Sequence, residues 1–143
     1  MLIIKHTIET QASPESIWKI WQDVENWNTW DHGIEYSKIF GPFKTDTPGE
    51  LKPKGGPLVK TLLKDVIPFK EFTDEAKLFF AKIVMKHSIF HSDGKTYVTH
   101  QIEMKGILSP FFAFVIGRDM KKNLPQEMSS MIKKAELLEN SHS

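Results

Sequence analysis

The stretch 83–105 limits the fold more than any other part of this chain. Two runs rich in β-branched and aromatic residues, IVMKHSIFHS and KTYVTHQIEMK, meet at Asp93-Gly94. An Asp-Gly pair between such runs predicts a two-residue hairpin turn, because both central positions then take positive φ. Setting Ser92 opposite Lys95 fixes every other pair: Met85 faces Ile102, His87 faces His100 and Ile89 faces Val98. These six share a mainly apolar face, while Lys86, Ser88, Thr99 and Gln101 point the other way. Two histidines are therefore expected on the inner face of an antiparallel sheet.

Residues 2–10 also alternate, with Leu2, Ile4, His6 and Ile8 on one face, which predicts a half-buried strand. Ser13, Pro14 and Glu15 follow in the order of an N-cap, a first-turn proline and an acid at the positive helix end. The helix they start carries Ile17, Trp18, Ile20 and Trp21. The pattern restarts with Val24 and Trp27, predicting a second short helix or a bent continuation that ends near Trp30 and Asp31. A strand is expected over 33–40, then an irregular loop or turns in GPFKTDTPGE, with KPKGGP punctuating again. Residues 58–67 read as a strand without assignable faces, and another is expected within 71–80. Beyond Gly106, Ser109 and Pro110 read as a cap and first helical residue. Apolar positions from Phe112 through Val115, Leu124, Met128, Met131 and Ile132 to Leu138 predict one long helix, about 45 Å over some thirty residues. Pro125 should bend this helix rather than end it.

At 143 residues the chain reads as one domain, 1–143, large enough to bury roughly two-thirds of its unfolded surface. Nineteen basic side chains against eighteen acidic give a formal charge of +1, which supplies no field for phosphates, so no nucleic-acid partner is expected. With no cysteine, disulfides, thiol nucleophiles and thiolate metal sites are excluded. The most apolar run, 111–117, is far shorter than the ~20 residues that cross a bilayer, so no transmembrane segment is expected. The N-terminus does not read as a signal peptide, and a cytoplasmic location is the expectation. No nucleophile elbow, phosphate-binding glycine loop or Ser-His-Asp order occurs.

The segments SPESIWKIWQDVENWNTWD, GPF with the later PGE, DGKTYVTHQIEMKG and the long final helix resemble the polyketide cyclase/dehydrase branch of the START-like (SRPBCC, birch-pollen-allergen-like) superfamily. The resemblance spans almost the whole chain. It implies an α+β helix-grip fold: a curved antiparallel sheet of about seven strands around a long C-terminal helix, two short helices after the first strand, and an apolar cavity between sheet and helix. Members include lipid and hormone binders and aromatic polyketide cyclases. No universal catalytic set and no cofactor comes with the resemblance, so the catalytic residues are left unassigned.

Trp18 and Trp21 read as core, while Trp27 and Trp30 suit either core or a cavity mouth. Phe112, Ile116, Met120 and Met128 form a helical stripe that is either core or cavity wall. His6, His87 and His100 are the polar inner-face group, beside Met85. A metal would require all three imidazoles to converge, and none is expected. Asp31 reads as a turn or capping residue. The run FFAFVIG could touch a membrane surface, but it lacks a basic face of its own. The candidate ligand-binding residues are thus His6, His87, His100, Trp27, Trp30, Met85, Phe112, Ile116 and Met120. The expected function is binding of a small, largely apolar or aromatic molecule. A cofactor-free cyclase or dehydratase using pocket histidines is the alternative, and a protein-interaction module comes third.

Overall fold

Strand-forming segments follow one another after residue 33 with only short turns between them, and the structure lays them side by side. The computed structural model describes residues 3–141, so Leu2 of the expected first strand lies outside the described residues. Seven strands, β1 (Ile3–Thr10), β2 (Ile34–Ile39), β3 (Pro48–Pro53), β4 (Val59–Ile67), β5 (Glu71–Leu78), β6 (Ala81–Ser92) and β7 (Lys95–Lys105), form one antiparallel sheet in the order β1-β7-β6-β5-β4-β3-β2. Helix α1 (Pro14–Gln22) and a 3-10 helix (Val24–Thr29) join β1 to β2, and α2 (Ser109–Asn140) closes the chain. This is the helix-grip arrangement that the resemblance implies.

The β6–β7 register is the one that the Asp-Gly turn dictates, with Met85 against Ile102, His87 against His100 and Ile89 against Val98. Asp93 and Gly94 both have positive φ, 55° and 76°, as a primed hairpin turn requires. Ser13 caps α1 as expected, its side chain accepting from the Ser16 N–H at 3.2 Å. Strand β5 falls within 71–80 as expected, stopping at Leu78, and Phe79-Phe80 make the turn into β6, Phe80 taking φ 51°. Two boundaries differ from expectation. Strand β3 lies partly in the segment expected to be irregular; there Gly49 is needed because a Cβ would sit 2.5 Å from the Lys38 carbonyl oxygen and 2.8 Å from Thr61 Oγ1. Leu108, not Ser109, is the N-cap of α2, with no side-chain cap hydrogen bond, so Ser109 and Pro110 are the first helical residues.

Helix α2 runs unbroken through Pro125, and its two halves differ. Leu124, Met128, Met131, Ile132 and Ala135 recur on one face and are buried against the sheet and α1. Each of the leucine, methionine and isoleucine side chains contributes about 1.5–3 kcal/mol on leaving water. Trp21 Nε1 donates to Met131 Sδ at 3.0 Å, Thr10 Oγ1 donates to Glu136 at 2.7 Å, and the Ser13 N–H donates to Glu139 at 2.7 Å. These bonds tie the end of α2 to the corner between β1 and α1. In the first half only Ser109 and Gly117 are buried, and Phe112, Ile116 and Met120 are half-covered at the edge of the core.

Candidate functional site

The inner face of the sheet carries a row of histidines that two register constraints impose. His100 on β7 pairs with His87 on β6 and with His6 on β1, so the three lie side by side across adjacent strands. The His87 and His100 rings are 4.4 Å apart, edge to face, and His87 stacks on Phe72 at 4.0 Å. Trp21 packs on both imidazoles, and Trp30 lies 6.3 Å from His100. Among the described residues no group of three or more histidine, aspartate or glutamate side chains is arranged to hold a metal ion.

Burial keeps His87 and His100 uncharged. His100 is lowered to about 3 by desolvation, with His6 adding repulsion, and His87 is lowered well below 6.5 by desolvation and by His100. Glu127 on α2 stands 3.7 Å from His100 Nδ1, which would ordinarily favour an imidazolium. It does not do so because Glu127 is itself driven to take up a proton: burial raises it to about 7. Its partner is Asp31, at the end of the 3-10 segment, raised to about 8 by burial and then by the Glu127 charge and hydrogen bond. The two carboxyls share a hydrogen bond, so at least one of them carries a proton into the neutral range. Asp74 on β5, fully enclosed, is raised to about 7, again by burial first.

A cavity of about 40 Å³ lies at this junction, walled by Trp27, Trp30, Ile34, Leu51, Met85 and Ile102 with Leu124 from α2, and edged by Asp31, Asp74, His87, His100 and Glu127. Three buried nitrogens here have no partner within the protein: Trp30 Nε1, His87 Nδ1 and His100 Nε2. An orphaned buried polar group costs about 1–3 kcal/mol, so three in one place make a strong demand for a polar guest. Neutral imidazole can donate and accept, Trp30 can only donate, and the Asp31 carboxyl can donate to an oxygen.

Of the residues singled out from the sequence, the structure brings His87, His100, Trp27, Trp30 and Met85 to this cavity. His6 stands next in the row behind His100. Phe112, Ile116 and Met120 lie farther along α2 and are not among the cavity-lining residues. Trp18 and Trp21 are core, Trp18 packing on Phe43 and Phe72. The three acids were not expected. Asp31 does serve as a turn residue, accepting from the Gly33 N–H at 2.9 Å, yet the same carboxyl meets Glu127.

The chain matches the family described as "Polyketide cyclase / dehydrase and lipid transport" over residues 1–136, and it belongs to that family. No curated protein matches its sequence. Among solved structures, a START superfamily protein from Mycobacterium smegmatis superposes with a TM-score of 0.71 at 17% identity, covering 95% of this chain and 98% of that one. Norcoclaurine synthase from Thalictrum flavum, solved with dopamine and hydroxybenzaldehyde, gives 0.70 at 14% identity over 97% and 87% of the two chains. A protein from Thermus thermophilus gives 0.73 at 10% identity over 96% and 99%. At these identities the likeness is one of fold. Family members include cyclase and dehydrase types as well as binders. In this chain no helix among the described residues is long and apolar enough to cross a membrane.

Proposed function

We propose that this protein binds a small, largely apolar or aromatic molecule bearing a hydroxyl or carbonyl group, with that group set against His100 and the Asp31–Glu127 pair. The observation that carries this reading is the trio of unpartnered buried nitrogens, Trp30 Nε1, His87 Nδ1 and His100 Nε2, on residues that line a cavity whose other walls are largely apolar side chains. An apolar guest alone would leave them unsatisfied; a guest with one oxygen satisfies at least one of them. Native mass spectrometry of the purified protein, followed by calorimetric titration with matched phenol and benzene ligands, tests it. The phenol should bind at least tenfold more tightly, and His100→Phe should abolish that preference while the fold, read by circular dichroism, is kept. Equal affinity for both ligands in the unaltered protein would overturn the reading.

A second reading has its own observation. Asp31 and Glu127 are raised to about 8 and about 7, beside a neutral imidazole, so one carboxyl holds its proton while the other can exchange one near neutral pH, as a cofactor-free cyclase or dehydratase needs. On this reading Asp31 donates to a carbonyl or leaving hydroxyl oxygen, Glu127 as carboxylate removes a proton from carbon, and neutral His100 orients the substrate by hydrogen bonding. Turnover of a β-hydroxy ketone, lost in Asp31→Asn with binding retained, is its test.

A further inference from the structure

We propose that the pole of the molecule holding the start of α2 docks on an anionic phospholipid bilayer. Unlike the ligand reading, this rests on the outer surface and not on the cavity. The turn between β5 and β6 presents Phe79 and Phe80, 71% and 65% exposed. The neighbouring β7–α2 connection presents Ile107 at 85%, and the backbone joins the two, the Leu108 N–H donating to the Phe80 carbonyl at 3.1 Å. Gly106 lets them meet so closely: a Cβ there would lie 2.7 Å from Ala81 Cα and from the Phe80 carbonyl oxygen. From this junction Phe111, Phe114 and Val115 continue the stripe along α2, Phe114 being 88% exposed. These positions stand three and four residues apart, on one helix face. A continuous patch of this kind is not an ordinary feature of a monomer surface.

Charge selects the partner. The same helix face passes from Phe114 and Val115 to Arg118, then to Lys121 and Lys122, all exposed. At 1.5 Å per residue, Phe114 and Lys121 are separated by about 10 Å along the axis, so the apolar and basic parts of this face lie within two helical turns of each other. The groove beside the turn adds Lys60, Lys77, Lys82 and Lys105. Two of these already face acids, Lys82 to Glu75 at 3.4 Å and Lys105 to Glu103 at 3.5 Å, so they add less to the local positive charge than Lys60 and Lys77 do. With a formal charge of only +1 over the whole protein, this concentration is local. The run FFAFVIG lacks a basic face on its own helix turn, and the fold supplies one from β4, β5, β6 and the next turns of α2. Projecting aromatics ringed by lysines fit a headgroup layer with negative charge.

Flotation of the full chain with vesicles of phosphatidylcholine and phosphatidylglycerol, against phosphatidylcholine alone, tests the proposal. The mixed vesicles should retain the protein, and raising salt from about 0.05 to about 0.5 M should release most of it. Phe111→Ser with Phe114→Ser should weaken binding at least tenfold, and Lys121→Glu with Lys122→Glu roughly fivefold per lysine. These side chains are solvent-facing, so circular dichroism should be unchanged. Failure of the unaltered protein to float with mixed vesicles would overturn the proposal, as would flotation insensitive to both variants. A dimer in sedimentation that the phenylalanine variant dissociates, without flotation, would assign the patch instead to a second copy of this chain.

Discussion

Asp31 and the acids near it make the stability of this protein fall with pH where most proteins are insensitive to it. Folded, Asp31 keeps its proton up to about 8; unfolded, it releases it near 3.8. Between those values the native state binds more protons than the unfolded state, so stability decreases as pH rises. Glu127 and Asp74, each raised to about 7, act in the same sense. The histidines act in the opposite sense: His100, lowered to about 3, and His87 shed protons that the unfolded chain retains, so they favour the fold increasingly with pH, a gain half complete at 6.5 and nearly spent about one pH unit higher. Over this window the three carboxyls outweigh the two histidines. The melting temperature should therefore fall between pH 6.5 and 8, each differing proton contributing up to roughly 1.4 kcal/mol per pH unit. Asp31→Asn should flatten the decline and raise stability at pH 8. A melting temperature that holds or rises across this window would mean that these carboxyls are already ionised in the folded protein. Of the three acids only Asp31 drew notice in the sequence, as a turn or capping residue, and the reason is physical. They come from the turn after the 3-10 helix, a strand and the last helix, so no spacing links them. Asp74 sits in EFTDEAKL, where neighbouring charges hide the one that points inward.

Elements were legible in the sequence where one periodicity ruled them. The β6–β7 hairpin was the clearest, because a two-residue turn fixes register and register fixes faces; that alone put His87 opposite His100. Strand β3 was not legible. It is six residues long and carries Pro48, Gly49 and Pro53, each a breaker in isolation, and what makes it a strand is pairing with β2 and β4 on either side. The long helix shows the reverse case, where a strong breaker is overruled. Pro125 gives no N–H to the helix and its ring crowds the preceding turn, at up to about 3 kcal/mol relative to alanine. The burial of Leu124, Met128, Met131 and Ile132 on both sides of it outweighs that. Since Pro125 itself is exposed, Pro125→Ala removes the penalty without opening a cavity and should raise unfolding free energy by about 1–3 kcal/mol in urea denaturation. Amide exchange across 127–138 should be slow in both proteins. A loss of stability in the variant would show instead that the backbone constraint imposed by Pro125 helps α2 to dock.

At the scale of the whole molecule, sheet and helix meet more tightly than a helix-grip protein with a bulky guest would allow. The cavity of about 40 Å³ has room for two or three water molecules, against roughly 300 Å³ or more for an ordinary small-molecule site. A ligand larger than a few atoms must therefore part α2 from the sheet or displace a wall residue, and the wall that belongs to the helix is Leu124, 1% exposed. Truncating it converts a conformational cost into standing volume. Leu124→Ala should destabilise the protein by about 2–5 kcal/mol. The same change should strengthen binding of a compact aromatic with one oxygen, such as phenol or 2-naphthol, because the opening no longer has to be made at each binding event. The two effects combine in one measurement. Added ligand should raise the melting temperature of Leu124→Ala more than that of the unaltered protein, and Trp27 and Trp30, which wall the same cavity, should report binding through a change in fluorescence. An equal or smaller thermal shift in the variant would place the binding site somewhere other than between Leu124 and the His87–His100 pair.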